Sequence, residues 1–263
     1  MAPFFRTNSL EFDFPPFAGL PPTRYVLAAA PRSGSNMLVR TLWHTGLAGF
    51  ADGYLADTHV LDYFERWGFD SDDPEGRVKG YVGRLMTCRT SPNGVFGIKV
   101  HGEHLQGLEV DLDELLMSPQ YIWLRRRDRI RQAISYVLAK QTGVWIVDGI
   151  YLSTSRARSE PHYDYAEIRR HLQHLDDETR AWQQYFDRRE RVPHVVYYED
   201  MLADYPETVL GCLRHLGVDP PESLPEPGIK RQAGAVTERW VEMFERDSAQ
   251  DGNEALTLRG SSS

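Results

Sequence analysis

Apolar residues in this chain form two kinds of pattern. Tyr25-Val26-Leu27-Ala28-Ala29-Ala30 is apolar at consecutive positions and stops at Pro31. Val95 to Val100 follows the turn signal Ser91-Pro92-Asn93-Gly94, Tyr121-Ile122-Trp123-Leu124 runs into three arginines, and His194 to Tyr198 forms a fourth run. Runs this short, apolar on both faces and far enough apart for a helical crossover, predict the buried strands of a parallel sheet. Helical spacing is clearest after Pro161, where Ile168, Leu172, Leu175, Thr179, Trp182 and Phe186 recur at alternating steps of four and three. They predict the buried stripe of a long amphipathic helix, with Glu167, Arg169, Arg170, Asp176, Asp177, Glu178 and Arg180 on its solvated face. A shorter helix has Pro206 in its first turn, Val209, Leu210, Leu213 and Leu216 inward, and Gly217 as its stop.

These elements predict one α/β domain over residues 24–247, a mostly parallel sheet flanked by helices. Residues 1–23 read as an irregular N-terminal arm and residues 248–263 as a flexible C-terminal tail. Residues 50–90 and 143–163 read as excursions suited to cover a substrate. Composition supports a folded chain: 263 residues, 41% hydrophobic and 26% charged, can bury a substantial core. The formal net charge of −8 argues against a nucleic-acid partner, because wrapping phosphates needs a basic face. Cys88 and Cys212 stand far apart with no CxxC pattern, so both are expected to be reduced packing residues. No apolar run approaches the ~20 residues of a membrane span. Glu11 and Asp13 among four prolines are unlike a signal peptide, and a cytoplasmic protein is expected.

The first run leads into candidate chemistry. After Pro31 come Arg32-Ser33-Gly34-Ser35-Asn36, then Met37, Leu38, Thr41 and Leu42 at helical spacing. A strand ending in a tight Gly/Ser turn that opens a helix aims several backbone N–H groups and the positive end of the helix dipole at one point, which attracts an anion. Arg32 adds a guanidinium fork, and Ser33, Ser35 and Asn36 add side-chain donors. The bland alternative is a plain strand-to-helix turn with an exposed arginine.

The turn lacks the lysine of the Walker pattern, and the third run ends in Arg125-Arg126-Arg127 where a magnesium-holding aspartate would be expected. No metal is therefore expected, and a metal-dependent nucleotide kinase is the weaker alternative. Arg126, with Ser135 on the helix that follows, is placed to meet a second phosphate away from the first, whereas Arg125, Arg127, Arg129 and Arg131 read as surface ion-pairing residues. His171 and His174 share a helix at metal-ligand spacing, but no third ligand is evident in the sequence.

The three segments together resemble the sulfotransferases that use 3′-phosphoadenosine 5′-phosphosulfate (PAPS). Ala30-Pro31-Arg32-Ser33-Gly34-Ser35 resembles the 5′-phosphosulfate loop, Arg126 with Ser135-Tyr136 the 3′-phosphate pair, and Tyr198-Glu199-Asp200-Met201 with the Pro206 helix the late strand and helix. The closest likeness is to the bacterial trehalose 2-sulfotransferase family, through islands that include Thr45-Gly46-Leu47-Ala48-Gly49, Thr90 to Lys99, Gln132 to Tyr136, Gln141 to Trp145 and Arg231-Gln232-Ala233. The resemblance implies a P-loop-like PAPS-binding sulfotransferase fold, sulfuryl transfer to a hydroxyl, and a possible homodimer. It also implies that Lys99 reaches the bridging oxygen of the donor.

One departure stands out. Where the trehalose group carries a glutamate proposed as the base, ungapped counting places Gly53. Asp52, one residue away, and His101, on the same strand face as Lys99, are the two replacements, and a silent PAPS-binding module is the further alternative. Trp145 and Arg231 are candidates near nucleotide or acceptor. Tyr54, Tyr63, Trp67, Trp145 and Tyr151 offer rings on which a sugar, glycolipid or natural-product acceptor could stack.

Overall fold

The computed structural model describes residues 9–67, 74–108, 110–147, 152–154, 160–224 and 234–260. Four strands, β1 (Thr23–Ala29), β2 (Val95–His101), β3 (Gln120–Arg125) and β6 (His194–Tyr197), form an all-parallel sheet in the order β2-β1-β3-β6. All four are strands expected from the sequence. Their residues are buried on both faces along β1, β2 and β3, which is why they read as unbroken apolar runs. The separate pair β4 (Val144–Val147) and β5 (Leu152–Thr154) is antiparallel.

Helix α1 (Ser35–His44) follows β1, and α2 (Asp57–Trp67) and α3 (Pro74–Arg89) fill the stretch before β2. A 3-10 turn, Gly102–Gln106, and the short α4 (Leu112–Leu115) lead to β3. Helix α5 (Arg129–Thr142) and the long α6 (Tyr165–Arg189) pack on each other between β3 and β6. The chain finishes with α7 (Tyr198–Ala203), α8 (Tyr205–His215) and α9 (Ala235–Gly260). Each of α4, α5, α6 and α8 begins with an aspartate side chain accepting an N–H of the first turn, from Asp111, Asp128, Asp164 and Asp204.

One expectation is corrected here. The region 50–90 is core more than cover: Phe50, Tyr54, Tyr63, Tyr81 and Leu85 are fully buried against the sheet. The arm, where described, is anchored by Phe12, which stacks on Phe50 at 4.4 Å, and by Asp13, which pairs with Arg66 and Arg89. Helix α9 runs to Gly260, and its Asp251 accepts from Tyr165 and Arg169 on α6. Trp240, Val241 and Phe244 of α9 close a second core with Ala133, Ile134, Val137, Ile168 and Leu175. No helix among the described residues is long and apolar enough to cross a membrane.

Candidate active site

The strand order reverses around β1, since the chain leaves it for β2 on one side and reaches β3 on the other. In such sheets the crevice beyond the carboxyl ends of the strands is where ligands bind. Three of those ends carry the charged residues of the sequence reading.

After β1 the backbone turns sharply, with Arg32 at φ +60° and Gly34 at φ +92°. A side chain at Gly34 would also place its Cβ 2.5 Å from the Tyr198 ring, so this position admits only glycine. Gly34 is the N-cap of α1 and gives it no side-chain cap, which leaves first-turn N–H groups available to an anion. Ser33 is fully buried, and its Oγ has no hydrogen-bond partner among the described residues. The turn is held from outside by Gln132, whose Nε2 donates to the Pro31 carbonyl at 2.7 Å, and by Trp182, whose Nε1 donates to the Ala29 carbonyl at 3.2 Å.

Arg32 links the two anion points that the sequence placed apart. Its Nε donates to Ser135 Oγ at 3.0 Å, and its Nη1 donates to the Trp145 carbonyl. Arg126 Nη1 donates back to the Arg32 carbonyl at 3.2 Å and lies 4.6 Å over the Tyr198 ring. Burial and the neighbouring Arg126 pull the Arg32 guanidinium down to about 10, still protonated at neutral pH.

At the end of β2, Lys99 and His101 lie two residues apart and share a face. Lys99 Nζ donates to Asn36 Oδ1 at 2.7 Å and to Asp52 Oδ1 at 3.3 Å. Both members of the ion pair are buried. Burial, the Lys99 charge and His104 hold the His101 imidazole well below its ordinary value, so it is neutral at pH 7. Its Nε2 is buried and has no partner among the described residues. Pro31, Arg32, Ser35, Asn36, Lys99 and His101 line a cavity of about 190 Å³. Glu103, Tyr136 and Trp145 complete its lining.

A family model described as Stf0 sulphotransferase matches residues 24–247. The chain belongs to the Stf0 sulphotransferase family. Among the relatives of this Stf0 protein is the trehalose 2-sulfotransferase of Mycolicibacterium smegmatis, 28% identical over 88% of the chain and 97% of the relative. That of Mycobacterium tuberculosis is 24% identical over 87% and 96%. The chain is thus a sulfotransferase. Similar solved structures include a sulfotransferase from Alicyclobacillus acidocaldarius, 13% identical over 89% of the chain and 94% of that structure, with a TM-score of 0.44. A sulfotransferase domain from the Synechococcus PCC 7002 olefin synthase is 15% identical over 88% and 98%, with a TM-score of 0.46.

Of the residues singled out in this Stf0 sequence, Arg32, Ser33, Gly34, Ser35, Asn36, Asp52, Lys99, His101, Arg126, Ser135 and Trp145 come together around the cavity and the turn that feeds it. Tyr54 does not. It is fully buried in the core and donates its hydroxyl to the Phe50 carbonyl, because α2 and α3 cover it. Tyr63 is buried beside it, Trp67 packs on Tyr63, and Arg231 and Tyr151 lie outside the described residues. Arg127, Arg129 and Arg131 make surface ion pairs with Asp200, Asp176 and Glu238, as expected for an arginine cluster at a strand end.

Sequence reasoning missed Glu103 and Glu178. The sequence pattern places Glu178 on the solvated face of α6, yet it is 2% exposed. Its position was legible: residue 178 is three past Leu175 and four before Trp182, both on the buried stripe. The histidine pair also acquires neighbours invisible in sequence, for His174 Nε2 lies 3.6 Å from both Glu103 Oε2 and Glu178 Oε1. These three offer ligand atoms within 4.8 Å of one another, while His171 packs its ring on Tyr136.

Proposed function

We propose that the protein transfers a sulfuryl group from PAPS to a hydroxyl of a sugar by in-line displacement. The observation that carries this reading is the convergence of Arg32, Lys99 and the uncapped start of α1 on one cavity, which is also lined by a neutral His101 whose buried Nε2 has no partner among the described residues. The residues present fit an anion-rich donor: an unsatisfied buried Ser33 hydroxyl, a glycine cradle against Tyr198 and three cations. The two trehalose sulfotransferases among the relatives support a sugar as acceptor.

When bound, the donor supplies an electrophilic sulfur whose bond to the bridging oxygen breaks as the bond to the acceptor oxygen forms. Around that exchange the protein positions and neutralises. The α1 N–H groups, Ser33 and Arg32 hold the 5′ end, and Arg126 with Ser135 holds the 3′-phosphate. Lys99, aimed by Asn36 and Asp52, meets the negative charge that grows on the leaving oxygen. His101 takes the acceptor proton at its neutral ring. Between the two base candidates the geometry supports His101, because the Asp52 carboxylate is engaged with Lys99. Trp145 and Tyr136 form the wall on which a sugar ring rests. A homodimer is an expectation from the resemblance.

The test combines binding and turnover. 3′-Phosphoadenosine 5′-phosphate should raise the thermal midpoint of the wild type and not of Arg126→Ala, since a ligand at 100 times its Kd adds about 2.7 kcal/mol. PAPS with a panel of sugars that includes trehalose should yield a sulfated product by mass spectrometry. A rise with ATP and magnesium but none with the bisphosphate would overturn the reading in favour of a kinase. Binding without transfer to any hydroxyl would leave a silent module.

A further inference from the structure

The turn that follows β2 is held by a residue from far along the chain. His101 is the N-cap of the 3-10 turn Gly102–Gln106 and makes no side-chain cap. The cap comes from α6: Gly102 N donates to Glu178 Oε2 at 2.5 Å and Glu103 N to Glu178 Oε1 at 3.0 Å. The approach is so close that a Cβ at Gly102 would sit 2.6 Å from the Glu178 carbonyl oxygen and 3.0 Å from its Oε2. One buried carboxylate thus grips the two amides next to His101 and on Glu103, and both of those side chains line the cavity.

We propose that Glu178 is a positioning residue for sulfuryl transfer, its carboxylate holding the end of β2 so that His101 Nε2 meets the acceptor hydroxyl. The proposal rests on the transfer reading above. A carboxylate with both oxygens accepting is a fork that fixes two amides at once, and a protonated carboxyl must surrender one of those acceptors. The groups facing it are His174 on its own helix, Glu103 on the turn and Tyr136 on α5. Burial, reinforced by the Glu103 charge, raises Glu178 to about 7 against the pull of the two amides, so it changes charge near neutrality. His101 is in contrast neutral throughout that range.

Glu178→Gln keeps the shape but turns one acceptor into a donor facing an amide. It should lower kcat about 10²-fold, the scale of a misplaced catalytic group. KM for PAPS and the thermal shift with 3′-phosphoadenosine 5′-phosphate should stay at wild-type values, and the fall of wild-type kcat below pH 7 should vanish. Glu178→Asp should recover part of the rate. A second arm needs no turnover: with 13C-labelled histidine, the His101 ring signal, assigned through His101→Gln, should show a step near pH 7. That step should persist in His174→Gln and disappear in Glu178→Gln. Wild-type kcat in Glu178→Gln, an equal loss of bisphosphate binding, or a His101 step that survives the substitution would each overturn the proposal. A wild type that binds no bisphosphate and transfers no sulfuryl group would sink the transfer reading instead, and the histidine signal would still decide whether Glu178 governs His101.

Discussion

Lys99 is joined to Asp52 twice: its amide donates to the Asp52 carbonyl at 2.8 Å, and its Nζ lies 3.3 Å from Oδ1 of the same residue. The pair is buried, with side chains 10% and 7% exposed. Asp52 is therefore the counter-ion that keeps a cation at the donor end of the cavity. Removing one member of a buried pair costs about 3–5 kcal/mol because the other charge is left behind, and here Asn36 retains part of the contact. Asp52→Ala should lose about 3 kcal/mol in urea unfolding, and the Asp52→Ala/Lys99→Met double variant should be more stable than the single one. A single variant as stable as the wild type would remove Asp52 from this role.

Gly34→Ala tests the turn. The substitution meets a left-handed backbone and the Tyr198 ring together, so about 1–3 kcal/mol of strain is expected. Thermal unfolding should report it, and the shift with 3′-phosphoadenosine 5′-phosphate should be lost. Tyr198→Ala in the same background should restore only part, since the backbone strain stays. Full bisphosphate binding by Gly34→Ala would contradict the cradle.

Glu178 also predicts how stability varies with pH. Its folded value is raised above the ordinary 4.5, so between about 4.5 and about 7 the folded state holds a proton that the unfolded chain releases. Its contribution is fully present below 4.5 and is lost as pH rises through 7. Urea midpoints of the wild type should fall across that window relative to Glu178→Gln. Parallel curves for the two proteins would show that Glu178 ionises normally. The ionised form that positions His101 is thus the form that costs stability.

The last helix divides into two parts. Trp240 is 4% exposed in the second core, and Trp240→Ala should cost about 3–5 kcal/mol. Truncation after Asp247 removes the exposed ion pair of Asp251 with Arg169, worth about 0–1 kcal/mol. Differential scanning calorimetry of the two variants should separate them clearly, and a truncation as damaging as Trp240→Ala would show that the final turns carry core packing.

Sequence alone determined the four sheet strands, the two amphipathic helices and the Arg32–Asn36 turn. In each case the signal is local: strands buried on both faces must be apolar at every position, and a tight turn into a helix needs glycine where φ is positive. The tertiary structure decided what meets across the sheet. Tyr54 and Tyr63 carry the same aromatic signal as Trp145, and only the cover of α2 and α3 makes them core while Trp145 reaches the cavity. Asp52 became a partner of Lys99 because a loop returns beside β2. Glu178 is an acidic residue among acidic and basic neighbours on α6, and its role appears only when that helix lies across Gly102, 76 positions away. Periodicity tells which face of a helix is buried, but a charged residue is kept on that face by hydrogen-bond donors that the chain supplies from elsewhere.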